Sequence, residues 1–302
     1  MFDGEDGGLR AVPEAEARQD AGDVVLDRAF ADVECPGDFL QCAKIVVKYL
    51  PDNFTTGPYC PDTLSDVGGI CDWDGENAGL YQLNGDFWKM VETQGYAFCD
   101  ADGNINIADP ATGPSSGNNC LEAGEDTKAE QTALIPLVPV KAAAPTQLIT
   151  FAQVGLALTS ISIFADAPSV LTTGNLPALD NCGGHIDPGG WYHWHATATD
   201  IEISFKEEGI DADCHLTQSP GALFAYAFDG YPIYGSAEAD GSAPADLDEC
   251  SGHFAVTPEY PGGVYHYHAS LTFPNLPTCL TGTSANNAFS SAAQQGIGAP
   301  RR

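Results

Sequence analysis

The octapeptide GGWYHWHA at residues 189–196 returns as GGVYHYHA at residues 262–269, and in a chain with only 7 histidines these two copies hold four of them. In an extended strand successive side chains alternate between faces, so His193 and His195 share one face while Tyr192 and Trp194 share the other. The same alternation sets His266 and His268 against Tyr265 and Tyr267. Each strand then has an imidazole face and an aromatic face, the latter suited to core packing. The pattern predicts a mainly β fold with a few short helices. Its recurrence predicts an internally duplicated C-terminal region with pseudo-two-fold symmetry, stapled by disulfides.

The repetition extends beyond the octapeptides. LALTSISIFADAP (156–168) and AYAFDGYPIYGSA (225–237) match at an offset of 70 residues, which sets Ile163 against Ile233 and Phe164 against Tyr234. LDNCGGH (179–185) matches LDECSGH (247–253). Each copy, about 154–196 and about 225–269, runs apolar strand, then L-D-x-C-x-G-H, then G-G-x-Y-H-x-H-A. Two copies of one supersecondary unit bury together the apolar faces that neither buries alone.

Two imidazoles at i and i+2 converge on a metal ion, and a third from a neighbouring strand completes a facial set. His185 and His253 are the natural third ligands, since Asp187, Pro188, Gly189 and Gly190 form a turn signal that folds His185 back beside His193. A lone H-x-H is more often a pair of hydrogen-bonded surface histidines than a metal site. Here six of the 7 histidines occupy matched places in a repeat, which favours metal. Each copy carries its own third histidine, so two separate sites are expected: His185, His193 and His195, and His253, His266 and His268. Imidazole donors without thiolate or thioether suit copper(II) or zinc. Asp187, Asp248 and Glu249 are candidates for orienting ligands or acting as a base. His215, beside Cys214, falls outside the pattern.

The motif standing here as YHWH at 192–195 and YHYH at 265–268 resembles that of the YHYH-domain family. The likeness covers CGGHIDPGGWYHWH, AFDGYPIYG, LDECSGHFAVTPEYPGGVYHYH and LPTCLTG, and reaches back to FTTGPYC at 54–60. It implies a secreted or envelope-associated protein and assigns no activity. WYHWH also looks like an element of the multicopper oxidases, but no H-C-H tripeptide follows and that activity is not carried over.

Composition bounds the rest. The 302 residues are 43% hydrophobic, enough for a core, and carry a net charge of -31, which excludes nucleic acid as a partner and concentrates cations. The 10 cysteines, without a C-x-x-C, predict disulfides throughout, no free thiol and an oxidising compartment. The sequon at Asn53 is compatible with that. No apolar run reaches the roughly 18 residues of a membrane span. MFDGEDGGLR is not a signal peptide, so a leader is expected to have been removed or left out. Residues 1–30 read as a mobile acidic arm, 31–140 as a cysteine-rich part, 141–283 as the duplicated region and 284–302 as a flexible tail. AEQTALIPLVPVKAAAP reads as an extended connector.

NGDFWKMVETQG predicts a helix capped by Asn84 and stopped at Gly95. CAKIVVKYL is ambiguous between strand and helix. IEISF (201–205) reads as a strand among the other β-branched runs. FCDADGNINIAD begins like an EF-hand loop but has Ile105 and Ala111 at the two diagnostic positions. A hairpin turning on Asp102 and Gly103, with Ile105 and Ile107 in the core, is the better expectation.

Three function classes follow: a secreted metal-binding protein; a metal-dependent enzyme, either a hydratase or hydrolase of the carbonic-anhydrase type or a copper oxidoreductase; and a disulfide-stapled extracellular binding or matrix protein whose histidines only pack. No Ser-His-Asp motif, nucleophile elbow or phosphate loop is present. Protein partners are not indicated.

Overall fold

The eight strands that carry the histidine motifs form one sheet. A computed structural model describes residues 30–34, 41–51, 54–113, 116–149, 152–216 and 218–299. The sheet is built from β1 (Gln153–Ala157), β2 (Ser162–Phe164), β3 (Gly184–Ile186), β4 (Tyr192–Trp194), β5 (Leu223–Ala227), β6 (Pro232–Tyr234), β7 (Gly252–Ala255) and β8 (Val264–His268). Their order across the sheet is β3-β4-β2-β1-β5-β6-β8-β7. From the central antiparallel pair β1 and β5 outward, both halves repeat the same sequence of pairings. A hairpin partner is antiparallel (β2 on β1, β6 on β5), then comes a parallel neighbour (β4 on β2, β8 on β6), then an antiparallel edge (β3 on β4, β7 on β8). Leu156 stands opposite Tyr226 at the centre, with Ala157 opposite Ala225 and Gly155 opposite Ala227.

The aromatic face predicted for the motif strands is buried. Tyr192, Trp194 and Tyr267 pack with Val154, Ile163, Phe224 and Ile233 in the main core. At ~1.5–3 kcal/mol for each fully buried large apolar side chain, this face is a principal source of the sheet's stability. Val47, Leu50, Ala133 and Ile135, from the cysteine-rich part, join the same core. Val47, Ala133 and Ile135 reach it from strands Gln41–Lys48 and Glu130–Pro136, and Leu50 from just past the first, so the ambiguous CAKIVVKYL is a strand as far as Lys48 and much of the connector is a paired strand. The chain end expected to be mobile adds a further strand, Phe289–Ser291, to Glu130–Pro136. Of the acidic arm over 1–30 all but the last residue lies outside the described residues, as does Asn53 of the sequon.

The helix predicted after Asn84 spans Gly85–Thr93, and the Asn84 side chain accepts from the amides of Asp86 and Phe87. Its buried residues Phe87, Trp88 and Val91 belong to a second core with Trp73, Phe98 and Leu176. IEISF is not a strand: it lies within the helix Ala198–Glu208, capped by Thr197 and closed by Gly209 in the left-handed conformation. The alternating pattern misleads because Ile201 and Phe205 are also four apart. Both are buried there, on one helical face.

The loop at residues 99–105 closes on Asp100, whose carboxylate accepts from the amides of Asp102 and Asn104. Cys99 bridges Ile105 across it. Ile105 is buried as expected, whereas Ile107 is 43% exposed, contrary to expectation. It sits on the two-residue strand Ile107–Ala108, which borders its three-stranded sheet and leaves that side uncovered. Among the described residues three bridges join Cys60 to Cys120, Cys182 to Cys214 and Cys250 to Cys279. Cys71 and Cys99 are free thiols, so the expectation of complete pairing does not hold. An even count carries no information on which side chains meet.

Candidate metal centres

The motif L-D-x-C-x-G-H builds the approach to each site. Asp180 accepts from the amides of Cys182 (2.9 Å) and Gly184 (3.1 Å), and Asp248 accepts from those of Cys250 (2.9 Å) and Gly252 (3.2 Å). The residue between Cys and Gly is left-handed in both copies, Gly183 at φ 76 and Ser251 at φ 61. Its carbonyl accepts from the amide of His195 in one copy and of His268 in the other, each at 2.8 Å. Tyr192 and Tyr265, on the adjacent strands, donate their hydroxyls to Asp180 and Asp248 at 2.9 Å. The hydroxyls cross directly over Gly184 and Gly252, where a Cβ would lie 2.3 Å and 2.2 Å from them.

This frame sets His185 opposite His193 and His253 opposite His266 in strand register. The six histidines gather into two groups, each of which could hold a metal ion. In the first, Nε2 of His195 lies 3.1 Å from that of His193 and 3.2 Å from that of His185. In the second, the three Nε2 separations are 3.0, 3.1 and 3.3 Å. A metal ~2.05 Å from each nitrogen would separate the nitrogens by ~2.9 Å at right angles and ~3.3 Å at the tetrahedral angle. Both groups fit a facial three-nitrogen set.

In five of the six histidines the other ring nitrogen is tied back to the fold, which turns Nε2 inward. His195 bonds through Nδ1 to the Ala165 carbonyl, and His268 to that of Gly235 at 2.9 Å. His266 bonds through Nδ1 to the Val264 carbonyl at 3.1 Å, and His253 to Asp246 at 2.7 Å. In the first copy the Ala178 main chain takes the place of Asp246 beside His185. His193 Nδ1 is buried without a partner of hydrogen-bonding geometry. Burial disfavours the charged form of five of the rings: it pulls His185 down to about 3, aided by His195, and His195 and His266 down to about 4. His193 is held well below the ordinary range by burial and its two neighbours, and His268 is lowered by burial.

The surroundings of the two groups differ. Glu238, which the sequence reading missed, joins the second group, with Oε1 3.3 Å from Nε2 of His253 and 3.9 Å from that of His268. Three residues after the carbonyl that holds the last histidine, the second copy has Glu238 and the first has Pro168. With no counterpart in the first copy, neither Glu238 nor Asp246 left a signal in the repeat. Of the acids that were singled out, Asp187 is buried, accepts from the Gly189 amide and lines a cavity beside the first group; burial raises it to about 7. Asp248 closes its turn, and Glu249 is exposed. Among the described residues none of the three belongs to either histidine group. His215 is exposed beside Asp213.

Fold and sites together describe a β-rich, disulfide-bridged protein with two largely buried histidine trios on one sheet. A sequence model described as YHYH protein matches residues 132–244 and 238–282. The chain belongs to the YHYH family. No curated protein and no solved structure matches it.

Proposed function

We propose that this is a secreted metal-binding protein that holds copper(II) or zinc at two centres: His185, His193 and His195 in one, and His253, His266 and His268 in the other. The carrying observation is the convergence of three inward-facing Nε2 atoms within 3.0–3.3 Å at the second centre, with matching contacts of 3.1 and 3.2 Å at the first. Imidazole nitrogen lone pairs converging at that spacing repel one another unless a cation lies between them. A bound metal supplies that charge and a Lewis-acid centre. Asp246 and the Ala178 main chain act as orienting partners of the third histidines. The equivalence of the two halves reflects duplication of one ancestral unit. Secretion accords with the three bridges and with the finding that no helix among the described residues is long and apolar enough to cross a membrane.

Elemental analysis tests the reading. Two ions per chain are expected, with His185→Ala and His253→Ala each removing one, and the double replacement of His193 and His195 by Ala emptying the first centre. Unchanged metal content in all three variants would refute it.

A further inference from the structure

The two trios are alike in ligands and unlike in what faces them. Beside the second lies a space of about 10 Å³, enough for at most a single water, and Glu238 occupies its approach. Beside the first lies a cavity of about 100 Å³ that reaches all three histidines. Its walls are mostly apolar, including Leu121, Ala123, Phe164, Pro168, Pro177 and Ile186. Tyr59, whose buried hydroxyl has only Thr56 beside it and no partner of good hydrogen-bonding geometry, lines the same cavity. So do the acids Asp187 and Glu122, but each accepts from a main-chain amide, of Gly189 and of Cys60 respectively.

A divalent ion held by three neutral imidazoles keeps its full charge, and in an apolar, water-poor pocket that charge favours an anionic fourth ligand. The second centre has one built in, the Glu238 carboxylate. At the first, Pro168 stands in the corresponding place, and among the described residues no carboxylate joins the trio, Asp187 and Glu122 lying further out along the cavity. We propose that the first centre takes its fourth ligand from outside: a small monocarboxylate with an apolar tail, displacing metal-bound water. The carboxylate meets the ion, the tail lies against the apolar walls, and the Tyr59 hydroxyl has an acceptor to serve. The two centres are then a ligand-exchanging site and a closed one. This rests on the metal reading above and adds to it the difference between the copies.

The test uses the full-length protein loaded with cobalt(II), whose visible spectrum reports its ligands, titrated with butyrate, acetate and propylammonium. Butyrate is expected to shift the spectrum of one of the two bound ions in a saturable way, about tenfold more tightly than acetate because two more methylenes are buried. Propylammonium should leave it unchanged. Glu238→Ala should make the second ion respond as well, and Pro168→Glu should silence the first while two ions remain bound. Two bound ions that both ignore butyrate, or both answer it in the parent protein, would overturn the proposal, as would equal affinity for acetate and butyrate. Failure to bind any cobalt would instead remove the metal reading itself, and this inference with it.

Discussion

Gly184 and Gly252 show how one missing methyl group serves a histidine trio. The hydroxyl of the motif tyrosine must pass over the glycine to reach the aspartate that shapes the turn, and only then do the two cross-strand histidines face each other. The two positions are not equally forgiving. At Gly184 an added Cβ meets both the Tyr192 hydroxyl and, at 2.5 Å, the His193 carbonyl, and Tyr192 is fully buried. At Gly252 the nearest atoms all belong to Tyr265, which is only half-buried and can swing away. Gly184→Ala is therefore expected to cost ~1–3 kcal/mol, the usual range for overpacking, and Gly252→Ala distinctly less. Urea unfolding of the two variants side by side checks this, and equal losses would show that relief of the tyrosine is not what sets the cost.

Elements reveal which readings depend on neighbours. The strand Ile70–Trp73 carries Asp72 to where it feels the charge of Asp166, in the segment that follows β2; burial, then the charges of Asp166 and Asp74, raises Asp72 to about 7. Burial likewise raises Asp166 to about 6. In the unfolded chain an aspartate releases its proton near its ordinary value of 3.8, so between there and about 7 the folded protein holds a proton that the unfolded one has lost. The stability from this proton is fully present below the window and is lost as pH rises through it. Asp72→Asn removes the effect. The variant should gain on the parent between about pH 4 and about pH 8 in denaturant unfolding, and a difference that does not grow with pH would count against the assignment. At the same scale, the helix Ala198–Glu208 was hidden in IEISF because a short run satisfies both periods. The Thr197 cap and Gly209 stop were the signals that separate them.

Over the whole molecule, the cysteine-rich part and the duplicated region share cores, and the thiols follow that packing rather than their count. Alkylation of the denatured, unreduced chain with peptide mapping should mark Cys71 and Cys99 and find the three bridges intact. In the native protein Cys71 should resist labelling, since burial and then the charges of Asp72, Asp74 and Asp166 hold its thiol well above the ordinary range. Labelled Cys182 or Cys250 would contradict the fold. Opening either of the bridges at sequence separations 32 and 29 is expected to cost ~4 kcal/mol by loop entropy. The sequence by itself determined the two histidine trios and the matched halves, because strand alternation and turn chemistry act over a few residues and a repeat displays them twice. The tertiary structure alone decided that Glu238 joins one trio while Pro168 holds the corresponding place at the other, that Asp246 replaces a main-chain partner, and that Cys71 and Cys99 stay unpaired. Those outcomes depend on where loops return after tens of residues. The entropy of closing a loop changes so slowly with its length that spacing along the chain does not single out the partner; packing does.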